Sequence, residues 1–204
     1  MAENWKQAGL VLMRSAGQES NINLPNVLTL VRILLIPVFV MLLIDPTPDR
    51  ALAAAIVFVV AAVTDLLDGY GARKTGQITK LGRLLDPIAD KLLVLSAFIL
   101  LVQVARVSAL VAILIIAREV AVTGLRAIAA SEGLIMSAEV TGKYKMALQV
   151  IAIVLLVLEG TVVEAIGNLH LAGIVTLYLS LILGYVSGAQ YVWSFWRQVG
   201  AKGL

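Results

Sequence analysis

No cysteine occurs in the chain, which excludes disulfides, thiolate metal sites and a cysteine nucleophile. There is a single histidine, His170, so a histidine-based metal centre is excluded as well. Charge is scarce: 14% of the 204 residues are charged, against about 25% in an ordinary soluble domain. Internal repeats and low-complexity tracts are lacking. What is present instead is apolar, with 60% of residues hydrophobic and a mean hydropathy of +0.97. The net charge of +3 does not call for a nucleic-acid partner, because an excess of Lys and Arg in such a chain marks cytoplasmic loops.

A helix needs about 20 mostly apolar residues to cross a bilayer core. Six stretches approach that length, at 24–44, 51–70, 85–105, 107–128, 144–160 and 169–193. The expected fold is therefore all-α: a polytopic membrane protein with six transmembrane helices. Residues 21–204 form the transmembrane domain, and residues 1–20 an N-terminal cytoplasmic segment. Trp5, Ala8, Leu12 and Met13 place an apolar face on that segment, with Lys6 and Arg14 beside it, which suits a helix lying in the membrane interface. The apolar run Leu10–Met13 is too short for the core of a signal peptide. Loop charge sets the orientation. Arg73, Lys74, Lys80 and Arg83 fall in one connecting region, Arg126, Lys143 and Lys145 near the next on the same side, and Arg197 and Lys202 at the end. The opposite turns hold only Arg50 and Arg106. Both termini and every polar cluster are thus expected at the cytoplasmic face of the cell (inner) membrane. His170 falls on the outer side, as a solvated turn residue.

The strongest local signal is acidic. Asp65 and Asp68 stand three residues apart, Asp86 and Asp90 four apart. Either spacing puts two carboxylates on one side of a helix. The two pairs lie on consecutive spans at the same membrane face, so all four can converge. Carboxylates gathered at a membrane edge need protons or cations to offset their repulsion. An oxygen-only donor set favours a hard divalent ion, Mg²⁺ first and Mn²⁺ second, with room for two. Pairing with Arg73, Lys74, Arg83 or Lys91 is the alternative for each carboxylate taken alone.

With Gly69, Ala72, Arg73 and Gly82, these aspartates complete the pattern D-x2-D-G-x2-A-R-x8-G-x3-D-x3-D. The pattern resembles the signature of the CDP-alcohol phosphatidyltransferase family, and the six-span layout is similar over nearly the whole chain. The resemblance implies transfer of a phosphatidyl group from CDP-diacylglycerol to an alcohol, with release of CMP. It implies that Asp65, Asp68 and Asp86 ligate metal, and that Asp90 is a ligand or the general base. It places the CDP-lipid contacts at Asp65, Gly69, Ala72, Arg73 and Thr79. Asn26, in Leu24-Pro25-Asn26-Val27-Leu28-Thr29, is similar to a family element near the nucleotide, although an Asn there also reads as a helix cap. Homodimerisation is implied by the resemblance alone.

A second polar cluster bears on the acceptor. Arg118, Arg126 and Lys143 make a basic group at the same face. Guanidinium forks suit phosphate, so a phosphorylated small alcohol is favoured over choline or serine. Pairing of Arg118 with Glu119 or Glu132 is the structural alternative. Arg118-Glu119, Gly124-Leu125-Arg126 and Gly142-Lys143-Tyr144-Lys145 resemble the phosphatidylglycerophosphate synthases, which implies glycerol 3-phosphate as acceptor. Met146 departs from that subgroup, which often has Thr there, and inositol phosphate is the rival acceptor. The rival from another class is an intramembrane cation transporter, but such sites lie near the midplane on broken helices, not at one face beside a basic loop. Gly173, Gly184 and Gly188 are expected to allow close helix contact in the last span.

Overall fold

The computed structural model describes the backbone of residues 24–75, 80–134, 140–161, 163, 165 and 167–202. Side chains are described for the same residues apart from 24–26, 65–90, 140 and 201–202. The expected interfacial segment 1–20 lies outside the described residues.

Among the described residues the chain is all-helical: α1 Leu24–Leu43, α2 Pro48–Thr75, α3 Lys80–Gln103, α4 Ala109–Ser131, α5 Val140–Val157 and α6 Leu169–Lys202. Each expected apolar stretch corresponds to one helix. The helices are longer than the apolar runs where charge follows: α2 continues through Arg73 and Lys74, and α6 through Arg197 to Lys202. Asn26 falls inside the first turn of α1 rather than ahead of it, so it is not the helix cap. By length and composition, among the described residues, Leu169–Gly200 is long and apolar enough to cross a membrane.

The starts and stops follow from local chemistry. Thr47 opens α2: its hydroxyl accepts the Arg50 amide at 3.3 Å, and Pro48 takes the first helical position, where a missing N–H costs nothing. The Asn168 side chain accepts the Leu171 amide at 2.8 Å and caps α6. At the end of α4, Gly133 adopts φ 66°, and the Gly133 and Leu134 amides return to Ala130 and Ala129 carbonyls at 3.1 and 2.8 Å. This is the six-to-one closure that a left-handed residue makes possible. The same closure ends α3, where Arg106 N–H reaches Leu101 O at 2.9 Å, but here the left-handed residue is Ala105, at φ 58°.

Helix α5 lies along α6, α1 against α2 and α3, α4 against α6, and α2 against α5. Phe39, Phe58, Phe98, Ile153, Leu156 and Leu177, all at 0% exposure, form the centre of the core. The Phe39 and Phe58 rings join α1 to α2, with centroids 5.6 Å apart. Gly173 sets the α5–α6 approach: a Cβ there would stand 2.7 Å from Leu156 Cγ. Arg106 locks the far end. Its guanidinium donates to Leu156 O and Val157 O at 3.0 Å each and to Glu159 O at 2.7 Å, satisfying the carbonyls that α5 leaves open. Glu159 also holds His170 Nδ1 at 2.9 Å. His170 is therefore the second residue of α6 and a partner of Glu159, not a turn residue facing solvent alone.

Candidate active site

The two carboxylate pairs sit on α2 and α3, which touch. Asp65 and Asp68 are on α2, Asp86 and Asp90 on α3, and both helices run unbroken through these positions, so the spacings of three and four act at helical pitch. Gly69, Ala72 and Arg73 continue α2. The side chains of all these residues, and of Asn26, lie outside the described set; Thr79 lies outside it altogether. Among the described residues no group of three or more His, Asp or Glu comes together to hold a metal ion.

The first described side chain after the carboxylates is Lys91, next to Asp90. Its Nζ stands 3.7 Å from Glu119 Oε2 on α4. Glu119 is a hub. Arg118 Nη1 donates to its Oε1 at 3.0 Å, and Lys145 Nζ of α5 donates to the same oxygen. One carboxylate therefore gathers cations from α3, α4 and α5. Arg118 extends the connection to α6, where its Nε donates to Gly184 O at 2.7 Å. Two small residues of α6 lie along this contact. A Cβ on Gly184 would lie 3.6 Å from Arg118 Nε, and one on Gly188 would lie 3.7 Å from the same atom. The two glycines, one turn apart, flank the arginine, and a Cβ on either would stand at ordinary contact distance from it. Gly173 thus serves close helix contact as expected, while Gly184 and Gly188 lie against a charged side chain at ordinary contact distance.

Above the hub is a cavity of about 280 Å³ between α3, α4, α5 and α6. Among the described residues, five basic side chains line it, Lys91, Arg118, Arg126, Lys143 and Lys145, and one carboxylate, Glu119. Arg126 is held by Tyr191 of α6: Nη2 donates to the phenol oxygen at 2.9 Å, and the guanidinium carbon lies 4.7 Å from the ring centroid. Lys143 is exposed at the cavity. The excess of positive charge among the described lining residues, with Arg118, Lys145 and Arg126 held by neighbours, suits a small anion with several oxygens.

All three residues expected to bind an acceptor phosphate border this one cavity. Arg118 does so while also pairing with Glu119, so the structural alternative raised for it holds alongside. Sequence reasoning missed Glu119 as the organising carboxylate, and it missed Lys145, Tyr191, Gln149 and Ser187 as cavity residues. A usable signal was present: Gln149 follows Lys145 by one helical turn, and Ser187 precedes Tyr191 by one, so polar residues recur on single faces of otherwise apolar helices.

Comparison with known proteins supplies the family. The family model for CDP-alcohol phosphatidyltransferases matches residues 22–186, and the chain belongs to that family. Among curated relatives, the CDP-diacylglycerol–glycerol-3-phosphate 3-phosphatidyltransferase of Bacillus subtilis (strain 168) is 40% identical over 187 residues, covering 86% of this chain and 96% of its own. The protein of the same name from Rickettsia bellii is 39% identical, covering 83% of this chain and 93% of its own. That of Wigglesworthia glossinidia brevipalpis is 33% identical, covering 87% and 97%.

Proposed function

We propose that this protein transfers the phosphatidyl group of CDP-diacylglycerol to glycerol 3-phosphate, giving phosphatidylglycerophosphate and CMP. The observation that carries the reading is the basic cavity lined by Lys91, the residue that follows Asp90 on α3, together with Arg118, Arg126, Lys143 and Lys145. A phosphorylated alcohol held there by Arg126 and Lys143 lies beside the helices that carry the acidic signature. The names of the relatives support the same pair of substrates.

The four aspartates fit divalent ions by their donor chemistry: oxygen ligands only, in two pairs at helical spacing on touching helices. Asp65, Asp68, Asp86 and Asp90 would hold Mg²⁺ or Mn²⁺, two ions in the fullest form. When bound, such ions would neutralise the charge on the diphosphate. The protein's own groups do the rest. Asn26, Asp65, Gly69, Ala72, Arg73 and Thr79 contact the CDP moiety, and Arg118 with Lys145 holds the cavity wall. Asp90 accepts the proton from the attacking hydroxyl, because an alcohol with a pKa far above 7 needs a base at the moment of attack. Transfer is direct, with no covalent enzyme intermediate.

The same reading makes the chain a six-span protein of the cell (inner) membrane, a homodimer, with residues 1–20 and the site at the cytoplasmic face and residues 21–204 as one transmembrane domain. Apolar side chains on the outside of the bundle support it, among them Leu34 and Met41 of α1 and Leu110 and Ile113 of α4, each at least 60% exposed. Hydroxyls in the apolar helices turn back onto their own backbone, as Thr64, Thr123 and Thr176 do at 2.7 Å, an economy suited to lipid. Trp193 and Trp196 are exposed near the α6 end proposed to lie at the cytoplasmic interface, where such rings concentrate.

The test is release of CMP from CDP-diacylglycerol by the purified protein in lipid vesicles. Release with glycerol 3-phosphate, little with inositol phosphate, and loss in Asp90→Asn with unchanged helicity are the expected results. Equal activity after thorough chelation would refute the metal site.

A further inference from the structure

Two polar groups at the cavity have no work in the chemistry above. Gln149 is 3% exposed and Ser187 0% exposed, and both line the basic cavity. The Gln149 Nε2 amide and the Ser187 hydroxyl have no hydrogen-bond partner. Buried polar atoms are nearly always paired, because an unpaired one forfeits its hydration. Two on the wall of one ligand-sized cavity are therefore groups waiting for a ligand. Both are neutral, so they do not select the phosphate, which the arginines and lysines draw. They stand one helical turn from cationic or cation-holding residues: Gln149 four after Lys145, Ser187 four before Tyr191. Val94, Leu95 and Met146 are among the apolar residues of the same lining, a surface suited to the carbon chain of a small alcohol. Gly142 of α5 lies beside Ser187: a Cβ there would stand 3.7 Å from the hydroxyl oxygen, at ordinary contact distance.

We infer that Gln149 and Ser187 bind the acceptor's middle hydroxyl, the one that neither reacts nor carries phosphate, and so select a polyol phosphate over a plain hydroxyalkyl phosphate. The inference rests on the proposed reaction. Gln149 donates its amide N–H to the hydroxyl oxygen, and Ser187 donates to or accepts from the same group. With the phosphate at Arg126 and Lys143, this second anchor fixes the acceptor's rotation and so directs the terminal hydroxyl towards the α3 carboxylates. A site built to hydrogen-bond a hydroxyl discriminates against the analogue lacking it, because its own polar groups are left unpaired.

The experiment compares glycerol 3-phosphate with 3-hydroxypropyl phosphate, which keeps the phosphate and the reacting hydroxyl but lacks the middle one. CMP release is measured for the parent protein, Ser187→Ala, Gln149→Leu and the double variant. The parent is expected to prefer glycerol 3-phosphate by about ten- to hundredfold in kcat/KM, the scale of two neutral hydrogen bonds. Ser187→Ala is expected to lower that preference several-fold, and the double variant to bring it near one, with KM for CDP-diacylglycerol unchanged. A parent preference near one overturns the inference, because buried water then satisfies the two groups. So does a preference that stays the same in Ser187→Ala, a change small enough to preserve folding should Gln149→Leu not. Failure of the parent to release CMP with glycerol 3-phosphate would sink the proposed reaction itself, a different result from unaltered preference in an active enzyme.

Discussion

Replacing Glu119 by Gln tests the organisation of the cavity most directly. The carboxylate holds Arg118 at 3.0 Å, Lys145 on the same oxygen and Lys91 at 3.7 Å on the other. Its side chain is 17% exposed, while those of Arg118 and Lys145 are 9% and 10% exposed. Gln preserves the shape and removes the charge, leaving three cations facing one another with no anion between them. Breaking a buried pair by removing one partner costs about 3–5 kcal/mol. Residual access to water from the cavity discounts that to about 2–4 kcal/mol here. The assay is equilibrium unfolding in mixed micelles, with the thermal midpoint as a second reading; a fall on the order of 10 °C corresponds to this range for a chain of such size.

The double variant Glu119→Gln with Lys145→Met distinguishes an electrostatic hub from mere packing. If the single loss comes from orphaned charge, removing one orphan recovers part of it, and the mutant cycle shows a coupling above about 1 kcal/mol. A loss under about 0.5 kcal/mol in Glu119→Gln, or strict additivity in the double variant, would refute the hub as a source of stability.

Three further outcomes are expected. Arg126→Ala should raise KM for the phosphorylated acceptor by about 10- to 100-fold, the worth of a charge-assisted hydrogen bond, and leave KM for CDP-diacylglycerol unchanged, as steady-state kinetics in vesicles would show. Ala105→Gly should stabilise the protein by up to about 1 kcal/mol, because Ala105 is held at φ 58°, where glycine pays no Cβ penalty; unchanged unfolding would contradict the strained closure of α3. Gly173→Ala should destabilise by about 1–3 kcal/mol through its contact with Leu156, and Leu156→Ala in the same chain should recover less than its own cavity cost allows; an unfolding midpoint unmoved by Gly173→Ala would show that the two helices are free to part.

The helices were legible because apolar length is a local property. The first four, at 24–44, 51–70, 85–105 and 107–128, announced α1 to α4 within a few residues, except where charged residues ride on a helix that outlasts its apolar run, as Arg73 and Lys74 do on α2. The basic cavity was half legible. Arg118, Arg126 and Lys143 stood out as cations near one face, but their arrangement depends on partners distant in sequence. Glu119 binding Lys145 joins residues 26 positions apart, and Arg118 reaching Gly184 joins residues 66 apart. Spacing along one helix carries no trace of such contacts. Arg106 shows the same limit: it counted as a charge on an outer turn, and in the fold it closes the end of α5.

The reaction proposed here brings two anions together, a diphosphate and a phosphomonoester, and their repulsion must be offset at both. Basic side chains alone would do this for either anion, but at the diphosphate they would compete with the carboxylate that must take a proton. The sequence separates the two tasks. In the proposed reaction, divalent ions held by the aspartates of α2 and α3 would supply the positive charge at the diphosphate, while basic side chains of α4 and α5 line the cavity proposed for the acceptor. Helix α3 belongs to both, with Asp90 and Lys91 adjacent at the boundary. Lys91 stands 3.7 Å from Glu119, the carboxylate that also holds Arg118 and Lys145. Drawing Lys91, Arg118 and Lys145 onto one carboxylate leaves Arg126 and Lys143, among the described cations of the cavity, for the phosphate of the proposed acceptor.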